Sequence, residues 1–192
     1  MATLTPTLTL ASTDVSASEA ISISVTDTLA LGAGKEVKQS QIVMGNRLHT
    51  SVAAISYGKS YVFLQNLSST AAEIITITHA AFTDATVDYN NDPTVVMDVS
   101  GNVKAAMNVY HGVEVDHIPI GATIASVTNA TDFELSAPTT DGSLSNQTIT
   151  FANSLMTLGP LEFAFFPWSG AFPLGGHSAS GTPTLEVRIF EA

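Results

Sequence analysis

One period runs through most of this chain, and it is two. In TLTPTLTL, Leu4, Leu8 and Leu10 alternate with Thr; in AISISVTDTLAL, Ile21, Ile23 and Val25 alternate with Ser and Thr. SYVFLQNL, EIITITHA, GATIASVT, DFELS, QTITFAN and TLEVRIFEA repeat the pattern, with Ile75 and Ile77 on one face. Successive side chains of a strand point to opposite faces, so such runs suit half-buried strands and nothing helical. Clusters of Gly, Pro, Asn and Asp punctuate them. The β-branched residues fit a pleated surface. The expected fold is all-β: an antiparallel β-sandwich or jelly-roll-like barrel with a small inserted β subdomain. Helical signal is confined to a turn or two in KEVKQSQIVMGNR, and TDVSASEA reads as a connector.

The wording changes in the middle of the chain. Residues 1–84 and 152–192 share the Leu/Ile/Phe-with-Thr pattern and are expected to form one outer β domain. Residues 85–151 are expected to be the inserted subdomain. Its flanks, TDATVDYNNDPT and TTDGSLSNQT, read as surface turns. Insertion at a loop tip costs little, because closure entropy grows slowly with loop length.

Composition then narrows the function classes. Hydrophobic residues are 45% of the 192, enough for a core, while charged residues are only 12%, about half the usual share. That balance opposes disorder and points to surface covered by other chains. Six Lys and Arg face 17 Asp and Glu, for a net charge of −11. This repels phosphate backbones, so no nucleic-acid partner is expected. There is no cysteine, which removes disulfides and thiolate metal sites. MATLTPTLTLAST has neither the basic nor the apolar region of a signal peptide, and no run reaches the roughly 20 apolar residues of a membrane span. The N-x-S/T triplets at Asn66, Asn129 and Asn146 read as chance in a Thr-rich chain.

Candidate chemistry is sparse. Asp88, Asn90 and Asp92 match the first half of a calcium loop, but Pro93 replaces the required Gly and no bidentate Glu follows at the right distance. A polar turn is the simpler reading. His49, His79, His111, His117 and His177 form no H-x-H or H-E-x-x-H pattern, and His111 and His117 would need Glu114 and Asp116 to complete a site. No G-x-S-x-G elbow accompanies the many serines. LGAGK lacks the P-loop spacing. Glu162 and Glu186 have no readable relation in space. No catalytic residue, cofactor or metal is expected, and no enzyme.

The densest apolar stretch is LGPLEFAFFPWSGAF, with four of the nine phenylalanines and the only tryptophan. Leu161, Phe163 and Phe165 share one strand face; Glu162, Ala164, Phe166 and Trp168 share the other. Pro167 removes a ladder donor and places the strand's end or an edge there. One face goes to the core; Phe166 and Trp168 fall on the second face, which is expected to meet something as well, with core the first reading, a protein interface the second and a ligand the third. The expected interface residues are Leu4, Leu8, Phe166, Trp168 and Phe172.

TLTPTLTLAST, SYVFLQNLSSTAAEIITI, LGPLEFAFFPWSGAF and ASGTPTLEVRIFEA also resemble, in that order, small virion proteins of tailed phages, marine ones especially. Those carry a YVYLKN-like strand, an L-x-P-G-E-F-A-F-F-P element and an ASGTPVLEY-like final strand. Here Leu161 stands where that pattern prefers Gly. Within the insert, HIPIGATIASVTNATDFELSAPTT resembles a β module of phage fibre and adhesin-like proteins. The resemblance implies a virion structural protein made in the bacterial cytoplasm. The first expectation is a capsid decoration or cement protein, bound to the major capsid protein or to its own copies through apolar and β-augmentation contacts. A tail or tail-fibre component contacting the host receptor is the alternative, although no shaft repeats are visible. A carbohydrate-binding or glycan-active module using Trp168 is the third reading. No membrane partner is expected, and a homo-oligomer is.

Overall fold

In TLEVRIFE, Leu185, Val187 and Ile189 alternate with Glu186 and Arg188, and the first three are buried. The chain repeats this solution throughout. A computed structural model describes residues 3–12, 21–30, 37–45, 50–53, 60–89, 95–97, 105, 107–111, 118–119, 122–139 and 143–191. Their strands are β1 (Thr3–Leu4), β2 (Thr7–Ser12), β3 (Ile21–Thr26), β4 (Leu29–Ala30), β5 (Val37–Val43), β6 (Thr50–Ala53), β7 (Ser60–Asn66) and β8 (Ile75–Tyr89). There follow β9 (Val95–Met97), β10 (Asn108–His111), β11 (Ile124–Val127), β12 (Phe133–Leu135), β13 (Leu144–Leu158), β14 (Phe163–Trp168), β15 (Leu174–Ser178) and β16 (Thr184–Glu191). The fold is all-β, and every pairing between these strands is antiparallel.

Eight strands make a two-layer sandwich. One layer has the order β5-β16-β7-β14; the other runs β6-β15-β8-β13. Each layer joins strands distant in sequence, and the order is that of a jelly roll. Between the layers lie Met44, Val62, Leu64, Ile75, Ile77, Leu158, Trp168, Leu174, Leu185, Val187 and Ile189. β15 runs between β6 and β8 with all five residues buried. Its Gly176 is required by crowding, because a Cβ there would sit 2.9 Å from the Thr76 carbonyl oxygen.

β8 and β13 are each 15 residues long and continue past the sandwich. Their far ends carry a second cluster: Val87, Met107, Val109, Ile118, Ala122, Ile124, Phe133, Leu135, Ile149 and Phe151. The Phe133 and Phe151 rings meet edge-on at 5.6 Å. The strand order here is β10-β13-β8-β9-β12-β11. A bridge from Asn108 to Thr123 returns β11 to β10. Val109 N–H donates to the Ala122 carbonyl at 3.1 Å, and Ile124 N–H to that of Met107 at 2.9 Å. The sheet therefore closes into a small barrel, which leaves few free edges.

The two clusters draw on β13 residues of opposite parity. Ile149 and Phe151 fill the second, and Leu158 with Met156 serves the first. Odd positions thus give way to even ones. The slip between Ser154 and Met156, which adds one residue to β13, makes the change, as a bulge does.

Two stretches read otherwise in the sequence. Val37–Val43 lies in the segment offered as a helical turn, but it is strand β5, held along its length by β16. Thr83–Tyr89, read as surface turn, continues β8. Asp84 is buried and accepts from the Thr86 N–H at 2.9 Å and its hydroxyl at 2.8 Å. Asp88 accepts from the Asn146 N–H at 2.8 Å, where Asn146 adopts φ 55°. These turn-forming residues serve irregularities inside a ladder. LGAGK, TDVSASEA, Asn90, Asp92, His49, Glu114, Asp116 and His117 lie outside the described residues.

Asn66 is fully buried at the end of β7. Its Nδ2 donates to the carbonyls of Glu73 (2.8 Å) and Leu158 (3.1 Å), and its Oδ1 accepts from Ser68 N–H at 3.0 Å. One side chain thereby ties β7, the following turn and the end of β13. Asn66→Ala leaves these partners unmet and should cost about 2–3 kcal/mol, measured by urea denaturation. Asn129 has the same kind of role in the β11–β12 turn, where its Oδ1 accepts from the N–H groups of Thr131 (2.8 Å) and Asp132 (3.0 Å).

Candidate interaction surfaces

The face assignment of β14 comes out reversed. Trp168 is 9% exposed and belongs to the sandwich core, with Phe166 and Ala164 packed against the same cluster. Phe163 and Phe165 point outward instead. The cause is the partner strands: β14 pairs with β7, whose Val62 and Leu64 face inward, and β7 with β16, whose inward row is Leu185, Val187 and Ile189. In register, Phe163 stands beside Gln65 and Glu186, and Phe165 beside Phe63 and Arg188.

The outward face is a sheet of rings. Phe165 stacks on Tyr61 at 5.1 Å with 7° between planes, and Phe163 on Phe63 at 6.0 Å. The Phe190 ring meets Phe165 edge-on at 6.2 Å. Phe163 is 65% exposed. In their midst the Arg188 guanidinium lies 5.8 Å over the Phe63 ring. Glu186 neutralises it, at 2.7 Å from Nε and 2.5 Å from the terminal nitrogen. Glu186 also accepts from Gln39 Nε2 at 3.0 Å. Glu162 is engaged elsewhere, closing the turn before β14 by accepting from Gly159 N–H at 2.7 Å. In that turn Leu161 adopts φ 62°, the left-handed region that suits glycine.

The second surface is the ribbon of β2 and β3. Among the described residues these strands pair only with each other. Leu8 lies opposite Val25, with Ile23 on the same face, while Thr7 lies opposite Thr26 and Thr9 opposite Ser24. The Thr7 and Thr26 hydroxyls share a 3.1 Å hydrogen bond. Leu8 is 56% exposed and Val25 58%. Leu4, in β1, is half-buried.

At the ribbon's root the Tyr61 hydroxyl donates to the Asp27 carboxylate. Asp27 N–H donates to the Pro6 carbonyl at 3.1 Å, and its Oδ1 accepts from Thr28 N–H at 2.7 Å. The Tyr61 bond, helped by Thr28, holds Asp27 below its ordinary pKa; the same bond pushes Tyr61 up. A depressed carboxyl stabilises above its ordinary value and loses that effect as pH falls through the folded one. A raised phenol stabilises below its ordinary value and loses it as pH climbs. The contact therefore spans the range from about pH 4 to about pH 10.

The third surface is a recess of about 350 Å³ lined by His79, Met156, Phe166, Trp168, Phe172 and Leu174, with Leu155 at its rim. The exposed Phe172 ring lies 5.3 Å from that of His79, whose Nδ1 is buried without a hydrogen-bond partner. Among the described residues His79 is the one titratable group in this lining. Among the described residues, no three of His, Asp and Glu gather as a metal site. No family model, curated protein or solved structure matches the chain.

Of the residues singled out in the sequence, Leu8 and Phe172 are exposed, Leu4 and Phe166 are half-buried, and Trp168 is core. The aromatic outer face was not read from the sequence. Its signal lay in β16, where Glu186 and Arg188 mark the outward row that Phe63 and Phe165 join.

Proposed function

We propose that this chain is a structural protein of a phage particle, a decoration protein bound to the head shell. The observation that carries the reading is the apolar surface left uncovered outside a finished core: the stacked rings, and the apolar face of the β2–β3 ribbon. A protein that works alone rarely keeps such contiguous patches in water, and assembled interfaces are built from them. The jelly roll occurs in viral shells, but fold alone does not assign function. The resemblance of the outer-domain stretches to small virion proteins supplies the setting. In this reading the sandwich seats on the shell and the barrel at the end of β8 and β13 projects from it.

The test is antibody labelling of purified particles of the phage that encodes the chain, viewed by electron microscopy. Label over the whole head supports decoration. Label confined to the tail overturns it in favour of attachment, and absence from the particle overturns the virion reading.

A further inference from the structure

The two uncovered surfaces are complementary to each other, and we propose that the β2–β3 ribbon of one copy docks its Leu8, Ile23 and Val25 face on the aromatic outer face of a second copy. This goes beyond the virion reading and does not depend on it, because it concerns the chain with itself.

Size is the first argument. β2, β3 and β14 are six residues each, so the ribbon and the row from Phe163 to Trp168 are both about 20 Å long. A two-stranded ribbon is marginal alone in water and gains stability by laying an apolar face on another layer. The rings of Phe163, Phe165, Tyr61, Phe63 and Phe190 offer a layer of that area, with exposed branched side chains to meet them.

Charge is the second. At −11 the copies repel one another. Contact is favoured where the acidic groups are absent. The sequences of β2 and β3, TLTLAS and ISISVT, hold no charged residue. On the aromatic face the charges among the rings are Arg188 and Glu186, already paired, and at the Tyr61 end Asp27, whose carboxylate accepts from the Tyr61 hydroxyl. Away from Asp27 the two surfaces meet without bringing like charges together.

Connectivity is the third. The Tyr61–Asp27 bond fixes the ribbon's root at one end of its own chain's aromatic face, and from there Leu8 and Val25 remain exposed. The face is therefore left for a ribbon from outside. Each copy gives one ribbon and receives one. The contact is head-to-tail, the kind that closes into a ring when the rotation permits.

The test is sedimentation velocity on the purified full chain across a concentration series, with Val25→Asp in the ribbon and Phe163→Asp on the face. Both side chains are exposed, and far-UV circular dichroism checks that the variants fold. The wild type is expected to associate, and each variant to weaken association at least thirtyfold, roughly the loss of one hot-spot residue. Mixing the two variants should restore a dimer, because the Phe163→Asp chain still has a sound ribbon and the Val25→Asp chain a sound face. A wild type that stays monomeric up to its solubility limit overturns the proposal. So does association that survives either substitution, or a mixture that stays monomeric. A monomeric chain that nonetheless labels phage heads sinks this proposal alone; self-association of a chain absent from particles sinks only the virion reading.

Discussion

Trp168→Ala lowers the unfolding free energy by about 3–5 kcal/mol, while Phe165→Ala, three residues earlier on the same strand, costs about 1 kcal/mol. The first removes an indole from the sandwich cluster, where it packs with Phe166 and Leu174 beside the His79 recess. No neighbouring backbone can collapse into that space, because β15 is already pinned on both sides by β6 and β8. The second removes an outward ring whose fold contacts are its stack on Tyr61 and its edge contact with Phe190. Urea denaturation followed by far-UV circular dichroism separates the two, since the only tryptophan is lost in one variant. Equal midpoints, or a larger loss for Phe165→Ala, would mean that β14 presents its other face to the core.

The strands with clean alternation were legible in the sequence because their two faces differ. β16 sets Leu185, Val187 and Ile189 against Glu186 and Arg188, and Ile75 and Ile77 of β8 are both fully buried as their period requires. β14 was not legible because both of its faces are apolar. Its orientation is fixed by the register with β7 and β16, which period alone does not carry. Val37–Val43 has Lys, Gln and Ser at positions that suit a helix, but β16 offers it an edge to pair along, and tertiary pairing prevails over a weak local preference. Asp84 and Asp88 are turn formers by habit, and here they satisfy N–H groups at irregular points of a long ladder. The ribbon's two faces were readable from Thr/Leu and Ser/Ile alternation. That its apolar face is uncovered was not, since exposure depends on where the rest of the chain goes.

Phe151→Ala should cost about 3–5 kcal/mol and should split unfolding into two steps. Phe151 is fully buried in the barrel cluster, edge-on to Phe133, and the two clusters have no side chain in common. What joins them is the backbone of β8 and β13, with a register slip between Phe151 and Ala152 at the junction. If the barrel opens, the pairs from Ile75 with Leu158 to His79 with Asn153 still hold the sandwich ends together. The released segment becomes a long loop, whose closure cost rises only logarithmically with length. Trp168 reports on the sandwich alone, because it lies in the first cluster. The expected outcome in Phe151→Ala is an early loss of far-UV signal with the tryptophan fluorescence midpoint unchanged from wild type. A fluorescence midpoint that moves together with the far-UV signal would show that the long ladder makes one cooperative unit of both cores, and that residues 85–151 do not fold as a subdomain of their own.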